Sequence, residues 1–239
     1  ELREFGYAVS HDLQEPLRKI KAFGSRLDER YAEQLDDTAR DYLRRMQGAA
    51  TRMQALIEAL LRYSRVTTRA EPFTEVDVAQ IAREVVSDLE LRIEQSGAQV
   101  ELRALPRLSA DPMQIRQLLQ NLIGNALKFQ RDGVPPIVRV EALHVEGDSE
   151  AGVPSAWEIH VTDNGIGFEP RYTERIFGVF QRLHGRDEYE GTGVGLAICR
   201  KIVARHGGAI RAEGRPGAGA TFIVSLPERQ NGTSPQGGV

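Results

Sequence analysis

The chain has almost no cysteine, few aromatic residues and no long apolar run. Cys199 is its single cysteine, which excludes an internal disulfide framework and a cysteine metal cluster. This usage is typical of a reducing compartment, so we expect a cytoplasmic location. No apolar segment approaches the roughly 20 residues needed to cross a bilayer. Because 31 basic and 34 acidic residues leave a net charge of −3, we expect no nucleic-acid partner and no membrane contact.

The chain also lacks an initial methionine and opens on Glu1 within a helical pattern, so we expect a fragment of a longer protein. Apolar residues recur at helical spacing from Leu2 to about Tyr31, which predicts one long helix. A second seam alternates steps of four and three, the pattern of a coiled coil or helical bundle. Its members are Ala39, Leu43, Met46, Ala50, Met53, Ile57 and Leu60.

The polar turn YAEQLDDT would join these two helices into a hairpin. Two helices seldom bury such seams alone, and two hairpins make a four-helix bundle, so we predict a homodimer. A monomeric hairpin packed on the rest of the chain is the alternative. Pro72 ends the helical pattern, which predicts a hairpin domain over 1–68 and a second domain over 69–228.

The second domain mixes helical and strand patterns and is predicted to be α/β. The polar, Gly-rich tail 229–239 is expected to be disordered. Residues 144–156, which include His144, are predicted to form an exposed loop, and His206 is predicted to end a helix where the dipole favours its charge. Helices are predicted at 76–95, 111–129 and 193–206, and strands at 99–102, 137–140, 157–161 and 221–226.

One side of the predicted helix 111–129 is polar. Asn121 and Asn125 are four residues apart and Lys128 follows one turn later, so all three lie on one side. Amide oxygens suit a hard cation such as Mg²⁺, and the lysine suits a phosphate. Two solvent-facing amides are the alternative interpretation of the asparagines.

Two glycine-rich stretches follow. In VTDNGIGFEP a strand ends at Asp163, a hydrogen-bond acceptor, and Gly165 and Gly167 permit close approach of the backbone to a ligand; a plain turn explains this stretch equally well. GTGVGLAICRKIV leads from a glycine-rich loop into a helix whose free amides attract phosphate. Residues 169–190, anchored by Ile176, Phe177 and Phe180, form a predicted lid.

Five motifs in order resemble the catalytic core of bacterial sensor histidine kinases. SHDLQEPLR resembles the phosphoacceptor box, NLIGNALKF the asparagine box, IFGVFQRLH the phenylalanine box, and DNGIGF and GTGVGLAI the glycine boxes. The resemblance covers residues 5–227, and SHDLQEPLRKI and FQRLH are especially similar to phytochrome-like kinases. It implies an α hairpin forming a dimeric four-helix bundle, followed by an α/β sandwich ATP-binding domain of the histidine kinase/Hsp90/gyrase type.

The resemblance also implies a reaction and its ligands. His11 would take the γ-phosphoryl group of ATP in the presence of Mg²⁺ and pass it to an aspartate on the receiver domain of a response regulator. Asp12 would hold the useful tautomer of the imidazole or act as a general base. Pro16 would loosen the helix beside His11. Upstream, the resemblance implies a sensor domain.

For the nucleotide, the resemblance implies a set of contacts in the second domain. Asp163 would bind the adenine amino group, with Thr221 near the adenine and Phe129 packed near the base. Asn125 and Asn121 would hold Mg²⁺ and phosphates, and Lys128 would contact phosphate. Relatives that hydrolyse ATP carry a glutamate where Asn121 stands, so hydrolysis should be slow. The remaining expected contacts, in the lid and its hinges, are Gly165, Gly167, Gly191, Gly193, Gly195, Arg182 and Arg186.

Two other functions stay open at this point. The chain would be a non-catalytic dimeric signalling scaffold if nucleotide only set its conformation, or a serine kinase if it shared only the ATP-binding fold. Glu15 stands where many family members carry Thr or Asn, which puts a phosphatase activity in doubt. Whether transfer runs within or between protomers is not fixed by the sequence.

Overall fold

The computed structural model describes residues 2–68, 70–147, 154–185 and 188–228, with side chains from residue 12 onward. The chain divides into two compact units, Glu1–Thr68 and Arg69–Val239. The first is a helical hairpin and the second is an α/β unit, which confirms the predicted fold class. Among the described residues, no helix is both long enough and apolar enough to span a membrane.

The first unit consists of α1 (Leu2–Tyr31) and α2 (Asp37–Thr68). Asp36 caps α2, because its Oδ1 accepts from the backbone N–H of Ala39 at 2.7 Å. Arg40 then reaches back across the turn and donates from Nη2 to the carbonyl of Ala32 at 2.8 Å. Pro16 lies inside α1, which continues past it to Tyr31 as one helix.

The apolar seams of the hairpin divide into an inner and an outer row. Leu43 and Ala50 of α2 and Leu17 of α1 are buried within the unit. A second set of apolar residues stays exposed and recurs every seven residues on each helix, which is the spacing of a bundle face. These exposed residues are Leu13, Ile20 and Leu27 on α1, and Met46, Met53 and Leu60 on α2.

The second unit is a five-stranded sheet with helices and a small two-stranded sheet. The main sheet has the order β2-β4-β5-β7-β6, in which only the β2–β4 pair is parallel, and β1 pairs with β3 in the small sheet. The helices are α3 (Val78–Asp88), α4 (Glu90–Ser96), α5 (Pro112–Lys128) and α6 (Gly195–Arg205). The strands are β1 (Thr74–Asp77), β2 (Gln99–Leu102), β3 (Arg107–Ala110), β4 (Ile137–Val145), β5 (Ala156–Asp163), β6 (Ala209–Arg215) and β7 (Gly219–Pro227).

The structure corrects the predicted helix 76–95, which is two helices. Asp77 ends β1 and caps α3 by accepting from the N–H of Gln80 at 2.9 Å, so the helix starts later. It breaks at Leu89, whose N–H is shared between the carbonyls of Val85 and Val86. The sequence analysis also missed β1, β3 and β6, which are short or carry only weak apolar alternation.

Two further expectations are wrong. His144 does not lie in an exposed loop: it belongs to β4, where it pairs with Trp157 across the strands and their rings meet edge to face at 4.8 Å. Phe180 does not anchor the region 169–190, because its side chain is exposed and its φ is +62°. Ile176 and Phe177 are buried as expected.

His206 follows α6 as predicted, but it is neutral. Its side chain is fully buried, and its Nε2 accepts from the backbone N–H of Asp111 at 3.1 Å. An accepting nitrogen carries no proton, so Nδ1 donates to the carbonyl of Ile202 at 2.8 Å. Burial lowers the pKa of His206, and the nearby charge of Arg205 acts in the same direction. The expected stabilisation of a charged histidine by the helix dipole is therefore wrong.

We predict a loss of stability in mild acid. The folded-state pKa of His206 lies below its unfolded value of about 6.5, so the unfolded chain binds more protons as the pH falls. The free energy of unfolding should therefore be lower at pH 5.5 than at pH 7.5 in urea titrations. The pH-dependent part should shrink in His206→Gln, which does not titrate. An equal pH dependence in the variant and the parent chain would contradict this assignment.

Candidate nucleotide site

The polar face of α5 forms one wall of the site. Asp111 caps this helix by accepting from the N–H of Gln114 at 3.1 Å. Asn121, Asn125 and Lys128 are partly exposed along one side, as predicted. The other side is buried, and its members are Ile115, Leu118, Leu119, Leu122, Ile123, Ala126 and Leu127.

Asn121 faces the start of α6. A Cβ atom on Gly195, the first residue of α6, would lie 3.3 Å from Asn121 Oδ1. Within the described residues, Nδ2 of Asn121 is buried, and its neighbour is the thiol of Cys199, a weak hydrogen-bond acceptor. Cys199, on the next turn of α6, is fully buried, and burial raises the pKa of its thiol to about 12. Cys199 is therefore no nucleophile at neutral pH.

Asp163 ends β5 with one carboxylate oxygen fully engaged. Its Oδ1 accepts from the N–H groups of Gly165, at 2.8 Å, and Ala220, at 3.2 Å. Both donors meet the same oxygen, and no hydrogen bond to Oδ2 occurs among the described residues. Burial raises the pKa of Asp163, and the two N–H donors act against this rise. Thr221, predicted to lie near the adenine, pairs across the strands with Thr162, the residue before Asp163. The hydroxyls of the two threonines lie 3.1 Å apart.

Gly165 and Gly167 are required by close backbone approach. A Cβ on Gly165 would lie 2.2 Å from the carbonyl oxygen of Phe129, and one on Gly167 would lie 2.0 Å from that of Arg215. Ile166, between them, donates to Phe129 and accepts from Gly217. The turn after β5 is therefore hydrogen-bonded to the end of α5 and to the β6–β7 turn.

The second glycine-rich loop leads into a helix without a side-chain cap. Gly191 and Gly193 have φ values of +137° and +72°, and a Cβ on Gly193 would lie 2.6 Å from the carbonyl of Gln181. Val194 precedes α6 and supplies no capping hydrogen bond. The first amides of α6 and its positive dipole end therefore suit an anion. Lys128 lies beside this loop, since a Cβ on Gly191 would be 3.0 Å from its Nζ.

Arg182 binds several backbone carbonyls in and next to the predicted lid segment 169–190. Its Nη1 donates to the carbonyl of Gly191 at 2.7 Å, and its Nη2 donates to the carbonyls of Gly185, at 2.9 Å, and Tyr189. One guanidinium thus donates hydrogen bonds to three backbone carbonyls, those of Gly185, Tyr189 and Gly191. Arg186, the other predicted lid contact, lies outside the described residues.

Phe129 is the centre of an aromatic cluster that the sequence analysis missed. Its ring lies 5.0 Å from that of Tyr189 and 6.1 Å from that of His184. The ammonium of Lys128 lies 4.3 Å from the centroid of the same ring, a cation–π contact. Tyr189 and His184 belong to the predicted lid 169–190. The only sequence signal for their contact with Phe129 is that two aromatic residues lie close to the glycine-rich loop.

Burial lowers the pKa of Lys128, and the positive charges of Arg182 and Arg92 act in the same direction, while Glu190 opposes them. The side chains of Lys128 and Arg182 therefore lie near the uncapped start of α6, beside the polar face of α5. These positive groups favour a polyanion. Asp163, whose Oδ1 already accepts two hydrogen bonds, favours a ligand with a hydrogen-bond donor such as an amino group. In the described part of the chain, no three His, Cys, Asp or Glu side chains gather as metal ligands.

The predicted phosphoacceptor lies in the other unit. His11 belongs to the helix α1, and its side chain is not among those described. Asp12 is exposed on the same helix. Glu15 forms a salt bridge with Lys19, one turn further, at 2.6 Å.

The fold and the site together define a nucleotide-binding α/β unit that follows a helical hairpin. Residues 110–230 match the family described as histidine kinase-, DNA gyrase B-, and HSP90-like ATPase, and residues 1–69 match the His Kinase A (phospho-acceptor) domain. The chain belongs to this ATPase family and carries a His Kinase A domain before it.

Its relatives include two phytochromes. Phytochrome-like protein Cph1 of Synechocystis sp. is 43% identical over 227 residues, which are 95% of this chain and 29% of that protein. Cyanobacterial phytochrome A of Nostoc sp. is 41% identical over 242 residues, which are 99% of this chain and 30% of that protein. The predicted resemblance to phytochrome-like histidine kinases is confirmed. The chain spans about 30% of the length of these curated relatives.

Two solved structures are similar to this chain over both of its units. Full-length ShkA in complex with AMPPNP has a TM-score of 0.66 and 27% identity, covering 94% of this chain and 45% of that one. Histidine kinase ThkA in complex with response regulator protein TrrA has a TM-score of 0.60 and 25% identity, covering 94% of this chain and 61% of that one.

We predict that Asp163→Asn weakens nucleotide binding without lowering stability. The amide oxygen can still accept from Gly165 and Ala220, but an N–H₂ group replaces the oxygen that would meet the adenine amino group. The loss of a charged hydrogen bond, about 2 kcal/mol, corresponds to roughly 30-fold weaker binding of ADP by calorimetry. The melting temperature should not fall, because a carboxylate disfavoured by burial is removed.

Glu158→Gln is the matched control, since it lies on the same strand and pairs with Arg211 and His160 away from Asp163. It should bind ADP like the parent chain. Unchanged affinity in Asp163→Asn would remove this residue from the site.

Proposed function

We propose that this chain is the catalytic core of a two-component sensor histidine kinase. It transfers the γ-phosphoryl group of ATP to His11 and then to an aspartate on a response regulator. The observation that carries the proposal is the convergence of Asp163, Lys128 and the uncapped end of α6 in one unit, behind a phospho-acceptor domain that contains His11.

Each side chain then has a role in holding ATP. Oδ2 of Asp163 accepts from the adenine amino group, with Thr221 beside it and Phe129 packed near the base. Lys128, the loop with Gly191, Gly193 and Gly195, and the first amides of α6 hold phosphates. The amide oxygens of Asn125 and Asn121 would hold Mg²⁺, which would neutralise part of the phosphate charge. Nδ2 of Asn121 is a donor and would suit a phosphate oxygen, so Oδ1 would be the atom that faces the cation.

The transfer step needs alignment more than covalent chemistry. One ring nitrogen of neutral His11 attacks the γ-phosphorus, the bond from this phosphorus to the bridging oxygen breaks, and ADP leaves with the electron pair. The other ring nitrogen keeps its proton, and Asp12 stabilises the positive charge that develops on the ring. Asn121 has no carboxylate with which to take a proton from water, so hydrolysis without transfer should be slow.

Arg182 would change partners during this cycle. In this structure its two terminal nitrogens are engaged by carbonyls of the lid. A phosphate contact by Arg182, and one by Arg186, would require the lid to rearrange when ATP binds. The proposed setting is cytoplasmic, with a sensor domain upstream as the phytochrome names of the relatives suggest.

Transfer of labelled phosphate from ATP to His11 tests the proposal directly. With γ-labelled ATP and Mg²⁺ we expect incorporation of acid-labile, base-stable phosphate that disappears in His11→Gln. His144→Gln is the control, because His144 lies on β4 with its ring against Trp157 and should leave labelling intact. No incorporation into the parent chain would favour a nucleotide-binding scaffold, and acid-stable label would favour a serine kinase.

A homodimer would cover the outer apolar rows of the hairpin. Met53 is 52% exposed in the middle of α2, within a row that repeats every seven residues. We predict that Met53→Glu shifts the chain from dimer to monomer in sedimentation velocity, because burying an unpaired carboxylate in a bundle is costly. Met113, which is 60% exposed in the first turn of α5, provides the matched control. Met113→Glu should remain dimeric, and a dimeric Met53→Glu would argue against this interface.

A further inference from the structure

Residues 70–73, here called the connector, follow the hairpin along the chain and contact the start of α5 and the end of α6. Glu71 donates from its backbone N–H to Oδ2 of Asp111 at 2.9 Å, and its carbonyl accepts from Nη2 of Arg205 at 2.6 Å. The ring of Phe73 lies 4.6 Å from the guanidinium carbon of Arg205 and 4.7 Å from the ring of His206. Both backbone groups of one connector residue and the side chain of another are therefore held.

The contacts of Arg205 with Asp111, Gln114 and Glu71, here called the clamp, also join α5 to α6. Nη1 of Arg205 donates to Oδ2 of Asp111 and to Oε1 of Gln114, both at 3.0 Å. Asp111 is 1% exposed, caps α5, and donates its own N–H to His206. Arg205 ends α6, so a single guanidinium touches the connector, the start of α5 and the end of α6. Its planar fork suits several acceptors at once, which a lysine does not.

The other ends of the same two helices line the nucleotide site. From Asp111, α5 runs to Asn121, Asn125 and Lys128, a rise of about 20 Å to Asn125 at 1.5 Å per residue. From Arg205, α6 runs back to Gly195, beside Asn121. Two packed helices thus extend from the clamp to the phosphate region. Along the chain, only two residues separate Glu71 from Thr68, the last residue of α2.

We propose that Arg205 is a positioning residue that couples the connector to the nucleotide site, so that a pull on the connector moves α5 and α6 together. This inference rests on the proposed function, because it concerns how the hairpin controls transfer to His11. The clamp contacts neither the polar face of α5 nor the turn after β5. Weakening it should therefore impair transfer while leaving nucleotide affinity intact.

Arg205→Lys tests the clamp in the whole chain. Lysine keeps the charge beside Asp111 but cannot also reach Gln114 and the carbonyl of Glu71. We expect kcat for labelling of His11 to fall on the order of tenfold, with an unchanged KM for ATP and an unchanged Kd for ADP. A purely structural role would instead lower the melting temperature and the ADP affinity together.

Arg116→Lys is the matched control. Arg116 is also on α5 and pairs with two carboxylates, Glu84 and Asp88, but it does not touch the connector. It should label His11 at the parental rate. Parental kcat in Arg205→Lys would overturn the proposal, as would an equal loss of kcat in both variants.

Hydrogen exchange decides the question independently of activity. Arg205→Lys should accelerate exchange of the Glu71 amide and of peptides over 121–128 and 195–198, while Arg116→Lys should leave the Glu71 amide protected. Faster exchange confined to the connector would overturn the coupling. If the parent chain takes no label on His11, the proposed function fails, and this measurement still tests the mechanical link.

Discussion

The burial of one face of α5 is the constraint on which the nucleotide site depends. Its apolar side chains pack toward α3, α6 and the sheet strands β4 and β5. Full burial of such a side chain contributes about 1.5–3 kcal/mol, whereas an asparagine within a helix costs less than about 1 kcal/mol. The apolar face therefore determines the rotation of the helix, and Asn121, Asn125 and Lys128 are carried to the opposite side.

Burial disfavours the charged forms of two side chains in the site, and a ligand would offset this with a polyanion at Lys128 and a hydrogen-bond donor at Asp163. Lys128 is partly buried near the positive charge of Arg182, and burial raises the pKa of Asp163. Neither is compensated by a close partner of opposite charge among the described hydrogen bonds and ion pairs of its own side chain. Binding sites often carry such perturbed groups, since the ligand supplies the missing charge or donor. The turn with Gly165 contributes rigidity, because it is fastened to Phe129 and Gly217.

Much of this arrangement could be predicted from local patterns. The long periodic segments became α1, α2, α5 and α6, and strands with clear alternation became β2, β4, β5 and β7. Short β1 and β3 pair with each other, 30 or more residues apart, and bury Val76, Leu108 and Ala110, so their own four residues carry little signal. The break at Leu89 and the strand position of His144 also depend on neighbours that are distant in sequence.

The sequence by itself determined the order of the two units, the polar face of α5 and the position of Asp163 at a strand end, because helical and strand periodicity are local properties. Only the tertiary structure decided the partners of polar groups. His206 was expected to be charged at a helix end, yet the N–H of Asp111, 95 residues away, makes it neutral. Arg205 carried no local signal at all. Its meeting with Asp111 and Glu71 arises from packing of separate elements, which burial of their apolar faces enforces.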